Sequence, residues 1–163
     1  MSTLLDAPAD TVWHALKQVD TFRYITRGLM GVTPATRWPS DFRVGDVLVG
    51  RIWLAHVVPA WNHQIQIVTL DDQRREIVTR ENGGLLRNCT HRLLVEPLGE
   101  RENWVDAVTG DKPATGRCRY IDEFDVHAGA LTPVAAMIVR AFFRYRQMRW
   151  RRLARRLAEA AVP

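Results

Sequence analysis

The stretch LTPVAAMIVRAFFRYRQMRWRRLARRLAE, residues 131–159, decides the fold. Thr132 suits an N-cap, and Pro133 suits the first helical position, where a missing N–H costs nothing. No Gly or Pro interrupts the chain again until Pro163. Such a helix runs roughly 42 Å, longer than a small domain is wide. Ala135, Val139, Phe142, Phe143, Trp150, Leu153 and Leu157 share one face at helical spacing, so that stripe must lie on something. Arg146 interrupts the stripe where Phe or Leu is expected. It is therefore expected to point inward, where a guanidinium needs a carboxylate or a ligand beside it. A structural ion pair and a ligand anchor are both open readings.

The other arginines of this helix fall on its flanks: Arg140, Arg144, Arg151 and Arg155 on one, Arg149, Arg152 and Arg156 on the other. A solvated back face is the ordinary meaning of that pattern. Contact with phosphates or anionic lipid is the alternative. The chain of 163 residues carries a formal charge of +5, and of its 23 basic residues all but Lys17 and Lys112 are arginine. Length and a hydrophobic content of 47% suit a single domain, residues 1–163, with a real core. No secretory leader is read at the start, because Asp6 follows Leu4 and Leu5 at once. No apolar run reaches membrane-span length; the best, Pro133 to Val139, ends at Arg140. Cys89 and Cys118 have neither zinc spacing nor a disulfide framework, so reduced thiols in the cytoplasm are expected. Neither a metal nor a cofactor is expected, since there is no ligand-type spacing, phosphate-cradling Gly motif or dinucleotide fingerprint.

Taken in order, Ser2 to Asp6 reads as a short strand. Ala7-Pro8-Ala9-Asp10 opens a helix whose inner face is Val12, Trp13 and Leu16. Asp20 is expected to cap a second short helix ending at Gly28. Leu29 to Trp38, with Pro34, reads as an irregular edge strand. Asp46 to Leu54 is a strand, and Val57 to Ala60 a loop. Asn62 to Leu70 alternates, with His63, Ile65, Ile67 and Thr69 on one side. Glu76 to Glu81 returns to a turn at Asn82-Gly83. Asn88 to Glu96 presents Cys89, His91, Leu93 and Val95 together. Leu98 to Ala114 is a candidate flap in which Trp104 to Val108 could be strand. Arg117 to Val126 is the last strand, with Tyr120, Asp122, Phe124 and Val126 on its more apolar face. Strands grouped between helices imply an antiparallel α+β sheet of about seven strands. A curved sheet cannot press evenly on a straight helix, so a cavity between them is expected.

At this point the chain resembles the START-like, or SRPBCC, helix-grip domains, which include polyketide cyclases, lipid carriers and plant pollen-allergen relatives. The residues that carry the resemblance are Asp6-Ala7-Pro8-Ala9-Asp10-Thr11-Val12-Trp13, the order of the elements and the long closing helix. Arg119-Tyr120-Ile121-Asp122-Glu123 and the stretch Phe143 to Trp150 look like a subgroup of small bacterial members. One departure is the first strand, shorter here than is usual. The resemblance implies a curved antiparallel sheet wrapped around the C-terminal helix, with two short helices after the first strand. It also implies an internal cavity for a hydrophobic small molecule such as a lipid, quinone, sterol or aromatic polyketide. Cyclase or dehydratase activity occurs among such proteins, and fold alone does not fix it.

Strand parity gathers an inward polar set of Glu81, His91, Tyr120 and Asp122 facing Arg146, provided that no bulge reverses a face. Three readings follow. A carrier would use Glu81, His91, Tyr120, Asp122, Phe142, Arg146 and Trp150 around one polar group of an apolar ligand. A cyclase or dehydratase would use His91, Glu81, Asp122 and Tyr120 for proton abstraction beside a carbonyl and for holding the enolate. A satisfied structural network needs neither role. A metal at His63, Glu81, His91 and Asp122, or a Cys89–His91 nucleophile pair, is the weaker alternative. Trp53, Trp61 and Trp104 are candidates for the cavity mouth. Binding of an apolar small molecule is the first reading and enzymatic turnover the second. An interaction module using the arginine flanks on a protein, RNA or membrane surface is the third.

Overall fold

The structure is a computed structural model that describes residues 1–35, 37–84, 86–99 and 116–160. In chain order the strands and helices are β1 Ser2–Leu5, α1 Ala9–Leu16, α2 Val19–Thr26, β2 Met30–Pro34, β3 Val47–Leu54, β4 Val58–Asp71, β5 Glu76–Gly83, β6 Leu86–Pro97, β7 Cys118–Asp125 and α3 Thr132–Ala160. Among the described residues one sheet holds seven strands in the order β1-β7-β6-β5-β4-β3-β2. Every pairing is antiparallel. This is the antiparallel α+β sheet that the element order implies, in the helix-grip architecture that the resemblance implies. The short β1 is an edge strand held by four residues against β7. β2, with Pro34 at its end, is the other edge, where a missing N–H is tolerated.

The α3 stripe is buried as its spacing requires. Ala135, Phe143, Arg146, Gln147, Trp150 and Ala154 are its buried residues. Trp150 and Tyr120 have no exposure at all, and their rings lie 5.2 Å apart. Around them pack Leu5, Val12, Trp13, Ile67, Ile77 and Val95. The indole of Trp13 reaches out of this core to donate to Asp72 Oδ1 at 2.7 Å, which Lys17 Nζ also meets at 2.6 Å. These two donors hold the Asp72 carboxyl below its ordinary range.

Several local expectations are corrected. Thr132 does not cap α3; a 3-10 turn, Gly129–Leu131, precedes the helix, and the Thr132 hydroxyl donates back to the Gly129 carbonyl at 2.7 Å. Asp20 does not cap α2, which starts at Val19, where the Val19 N–H is taken by the Ser40 carbonyl at 2.9 Å. Of the expected loop Val57 to Ala60 only Val57 lies in the turn, and Val58 to Ala60 belong to β4. The hairpin tip is formed instead by Ala55 and His56 in left-handed conformation, and Val58 already pairs with Leu54. The turn after β5 falls at Gly84, one residue later than the Asn82-Gly83 signal places it. Thr69 does not share a face with Ile67, because a bulge between them shifts the register and turns Leu70 inward beside Ile77. The expected flap lies outside the described residues apart from Leu98 and Gly99, as does Trp104.

The α2 end is fastened to α3 by Tyr145, whose hydroxyl donates to the Arg27 carbonyl at 2.6 Å. Gly28 makes that approach possible: its φ is +110°, and an added Cβ would stand 2.2 Å from the Tyr145 oxygen.

Removing a fully buried aromatic leaves a cavity the sheet cannot close, so Trp150→Ala should lower stability by about 3–5 kcal/mol. Met148→Ala, at a position 40% exposed on the same helix, should cost less than about 0.5 kcal/mol. Urea unfolding of both variants checks this; equal effects would contradict the packing described.

Candidate functional site

Between the concave sheet and α3 lies a cavity of about 470 Å³. Its walls are almost wholly apolar, including Ile25, Val32, Leu48, Ile52, Ile65 and Leu93. Leu29, Leu54 and Ile138 also line it and are each more than two-fifths exposed, so the cavity reaches the surface between the β3–β4 hairpin and the first turns of α3. Trp61 is on the wall, as expected of a mouth tryptophan. Trp53 is not; it turns outward, with its indole N–H donating to Thr33 Oγ1 at 3.1 Å.

One end of this cavity is ionic. The side chains that strand parity selects do meet there. His91 Nδ1 lies 3.1 Å from Glu81 Oε1, and His91 Nε2 lies 3.1 Å from Asp122 Oδ1. The register explains the convergence: Thr79 pairs with His91 and Leu93 with Asp122, so all three strands turn their polar residues inward together. Tyr120 donates its hydroxyl to Asp122 Oδ1 at 2.8 Å. Arg146 Nη2 stands 3.4 Å from the Tyr120 oxygen and 3.9 Å from Asp122 Oδ1. The guanidinium carbon lies 5.0 Å from the centre of the Phe143 ring and 5.9 Å from that of Phe142.

Both carboxylates accept further hydrogen bonds. Glu81 Oε1 also accepts from Thr79 at 3.1 Å, and its Oε2 faces His63 Nε2 at 3.1 Å. Asp122 Oδ2 accepts from Gln147 at 3.5 Å. Burial works against ionising Glu81, but hydrogen bonds from His63 and His91 outweigh it and hold the carboxyl well below the usual range. Burial opposes ionising Asp122 likewise, and the Arg146 charge with the His91 hydrogen bond reverses the balance. Burial disfavours charge on His91 too, yet the hydrogen bonds to Asp122 and Glu81 prevail and raise its pKa. An ionised carboxylate only accepts, so a ring clamped between two of them must donate from both nitrogens. With Glu81 and Asp122 ionised, this geometry selects the imidazolium form of His91, in which the quartet of Glu81, Asp122, His91 and Arg146 carries two negative and two positive charges. Burial, and then the Asp122 charge, keeps the Tyr120 phenol protonated, far above its ordinary range.

The predicted set divides in two. Glu81, His91, Phe142 and Arg146 line the cavity. Tyr120, Asp122 and Trp150 stand behind them in the core, where Trp150 packs on Tyr120. The sequence reading overlooked Gln147 and named His63 as a site residue only in the weaker metal alternative. Gln147 lies four residues after Phe143 and three before Trp150, a spacing that places it on the buried face. His63 precedes Ile65, which pairs with Glu81, and shares its parity. The Gln147 signal was masked by the polar character of the residue. Trp38 was also missed as a wall residue. Among the described residues no group of three or more His, Cys, Asp or Glu side chains is arranged to hold a metal. Cys118 is an inert thiol, with its pKa pushed up to about 12 by burial and by the charge of Asp6.

Much of the arginine flank is used internally. Arg149 lies 4.1 Å over the Tyr24 ring and donates to the Tyr24 carbonyl at 2.9 Å. Arg151 donates to Thr3 Oγ1 at 2.7 Å, and Arg155 faces Asp6 at 3.4 Å. Among the described residues no helix is long and apolar enough to cross a membrane.

No family model and no curated protein matches the sequence. Solved structures do match its fold. A START superfamily protein from Mycobacterium smegmatis superposes with a TM-score of 0.63 at 11% identity, covering 96% of each chain. Norcoclaurine synthase from Thalictrum flavum, in complex with dopamine and hydroxybenzaldehyde, gives 0.60 at 14% identity over 94% of this chain and 83% of that one. The di-domain ARO/CYC protein BexL from the BE-7585A biosynthetic pathway gives 0.59 at 19% identity, over 93% of this chain and 44% of its own length. The chain has the START-like helix-grip fold, as the resemblance implies.

The charge states set the pH dependence of stability. The raised His91 pKa means that its contribution is complete below the unfolded value of 6.5 and is lost as pH rises through the folded value. The depressed Glu81 and Asp122 contribute fully above 4.5 and 3.8 and lose that contribution as pH falls through their folded values. Stability should therefore be greatest between about pH 4.5 and 6.5 and decline on the alkaline side. Denaturant unfolding across pH checks this; His91→Gln should flatten the alkaline limb, and an unchanged slope would contradict the assignment.

Proposed function

We propose that the chain binds an apolar or amphipathic small molecule in the cavity between sheet and α3, with Arg146 at the ligand's polar end. The observation that carries this reading is an apolar cavity of about 470 Å³ that meets a buried guanidinium at one end. That volume is in the range of small-molecule sites, and an apolar wall with a few convergent polar groups is their usual composition. The fold neighbours supply context: one is a synthase solved with two small aromatic compounds, another an aromatase/cyclase. A lipid, a quinone, a sterol and an aromatic polyketide-like molecule all suit the apolar wall. The two buried thiols form no disulfide and fit a reducing, cytoplasmic setting.

Binding without turnover is favoured over the cyclase or dehydratase reading by the state of His91. A general base needs a lone pair aimed at its substrate. Both His91 nitrogens face carboxylates, and Tyr120 with Asp122 lies behind the cavity wall. The interaction-module reading is weakened because Arg149, Arg151 and Arg155 are engaged within the chain.

Native mass spectrometry of freshly purified protein, compared with the denatured protein, should show a small-molecule adduct lost on unfolding. Ile65→Trp, which fills the cavity from its wall, should abolish the adduct while keeping the melting temperature within about 5 °C, a shift of about 1 kcal/mol. An adduct that survives the filling substitution would place the ligand elsewhere.

A further inference from the structure

The proposed binding reading leaves open what the ligand's polar end is, and the charge and donor inventory of the cavity narrows it. Arg146 is 5% exposed and borders the cavity. Its Nη2 is the only one of its nitrogens engaged with a described residue. Its Nε is buried with no hydrogen-bond partner among the described residues. Trp61, on the same cavity wall, carries a second buried N–H in that condition, and Trp150, in the core behind the cavity, a third. A buried donor left unmatched costs free energy, so the two on the cavity wall call for an acceptor. The neighbouring carboxylates do not meet these groups; their oxygens take His63, Thr79, His91, Tyr120 and Gln147 instead. The unpartnered Nδ1 of His63 is a different case: it sits against the backbone at Gly83, where an added Cβ would come within 2.8 Å of it.

An arginine in a pocket ordinarily suggests a carboxylate or phosphate ligand. Here the charge is already matched. Arg146 and His91 balance Asp122 and Glu81, with His91 seated between the two carboxylates. A carboxylate entering this apolar cavity would leave one uncompensated buried negative charge and would face Asp122 across the guanidinium. An ammonium would add an uncompensated positive charge beside Arg146 and His91. A carbonyl oxygen supplies the acceptor without disturbing the balance. The rest of the wall favours flat rings: Phe22, Trp38, Phe42, Trp61, Phe142 and Phe143 all line it.

We infer that the cavity selects neutral, ring-bearing carbonyl compounds (ketones, quinones or lactones) whose oxygen accepts from the Arg146 guanidinium. The inference rests on the binding reading above. The carbonyl remains intact, and no bond is made or broken.

A matched probe series tests it: acetylnaphthalene, ethylnaphthalene, naphthoate and aminomethylnaphthalene, titrated into the wild-type chain by calorimetry or by competition with the neutral fluorescent ketone propionyl-dimethylaminonaphthalene. Acetylnaphthalene should bind about tenfold or more tightly than each of the other three, the effect of one hydrogen bond to a charged group. Naphthoate binding as tightly as the ketone, or more tightly, would overturn the inference while leaving the cavity reading in place. So would equal affinity of ethylnaphthalene and the ketone. Binding by none of the four would overturn the cavity reading itself. Arg146→Met should remove the preference for the ketone over ethylnaphthalene, with ethylnaphthalene affinity held within about twofold, the range of a change that leaves apolar contacts intact. The wild-type series decides the matter even if that variant does not fold.

Discussion

Oδ1 of Asp122 is the point on which the interior of this protein depends. It accepts from His91 and Tyr120 and lies 3.9 Å from Arg146. Those four residues come from three elements: β6, β7 and α3. A buried charge is tolerable only when it is matched and hydrogen-bonded, so a fixed relation among two strands and the helix is written into this contact. Glu81 extends it to β5, and His63 extends it to β4. The closing helix is thus held in register with the sheet by polar contacts at its middle and by Trp150 packing one turn further on.

The same arrangement creates the cavity. Behind Asp122 the interior is filled by Tyr120, Trp150, Leu5 and Val95. In front of Arg146 the side chains of Phe142, Phe143, Ile65 and Leu93 form walls and leave space between them. The result is an apolar space whose polar end is a guanidinium with unused donors. Catalysis by His91 and recognition by Arg146 make opposite demands on the network. The first needs a free imidazole lone pair, which two carboxylates remove. The second needs a cation held still by its neighbours, which the same carboxylates provide.

The fold was largely legible in the sequence because its signals are long. A helix of 29 residues with an apolar stripe and strands of up to 14 residues leave little room for another architecture. Misreadings fell where one residue decides the outcome. The bulge after Ile67 reverses Thr69, and the left-handed pair Ala55-His56 makes a tight tip that turns an expected loop into strand. Neither leaves a composition signal. For the site, alternation placed Glu81, His91, Tyr120 and Asp122 together, because no bulge interrupts β6 or β7 across those positions. Alternation could not separate residues that face the cavity from those behind it. That difference depends on depth along the sheet and on where α3 crosses, which is why Tyr120, Asp122 and Trp150 fell in with the cavity residues. Gln147 escaped notice because a polar residue on a buried face reads as an exception to the stripe.

The protonation state of His91 bears most directly on all of this. Nitrogen-15 NMR of the imidazole near pH 7, with the ring labelled, reads it without a ligand or a substitution. A free histidine is largely neutral there. The clamped geometry predicts that both ring nitrogens of His91 carry protons, with shifts of an imidazolium. One unprotonated nitrogen at that pH would contradict the balanced quartet and return His91 to the role of a candidate base.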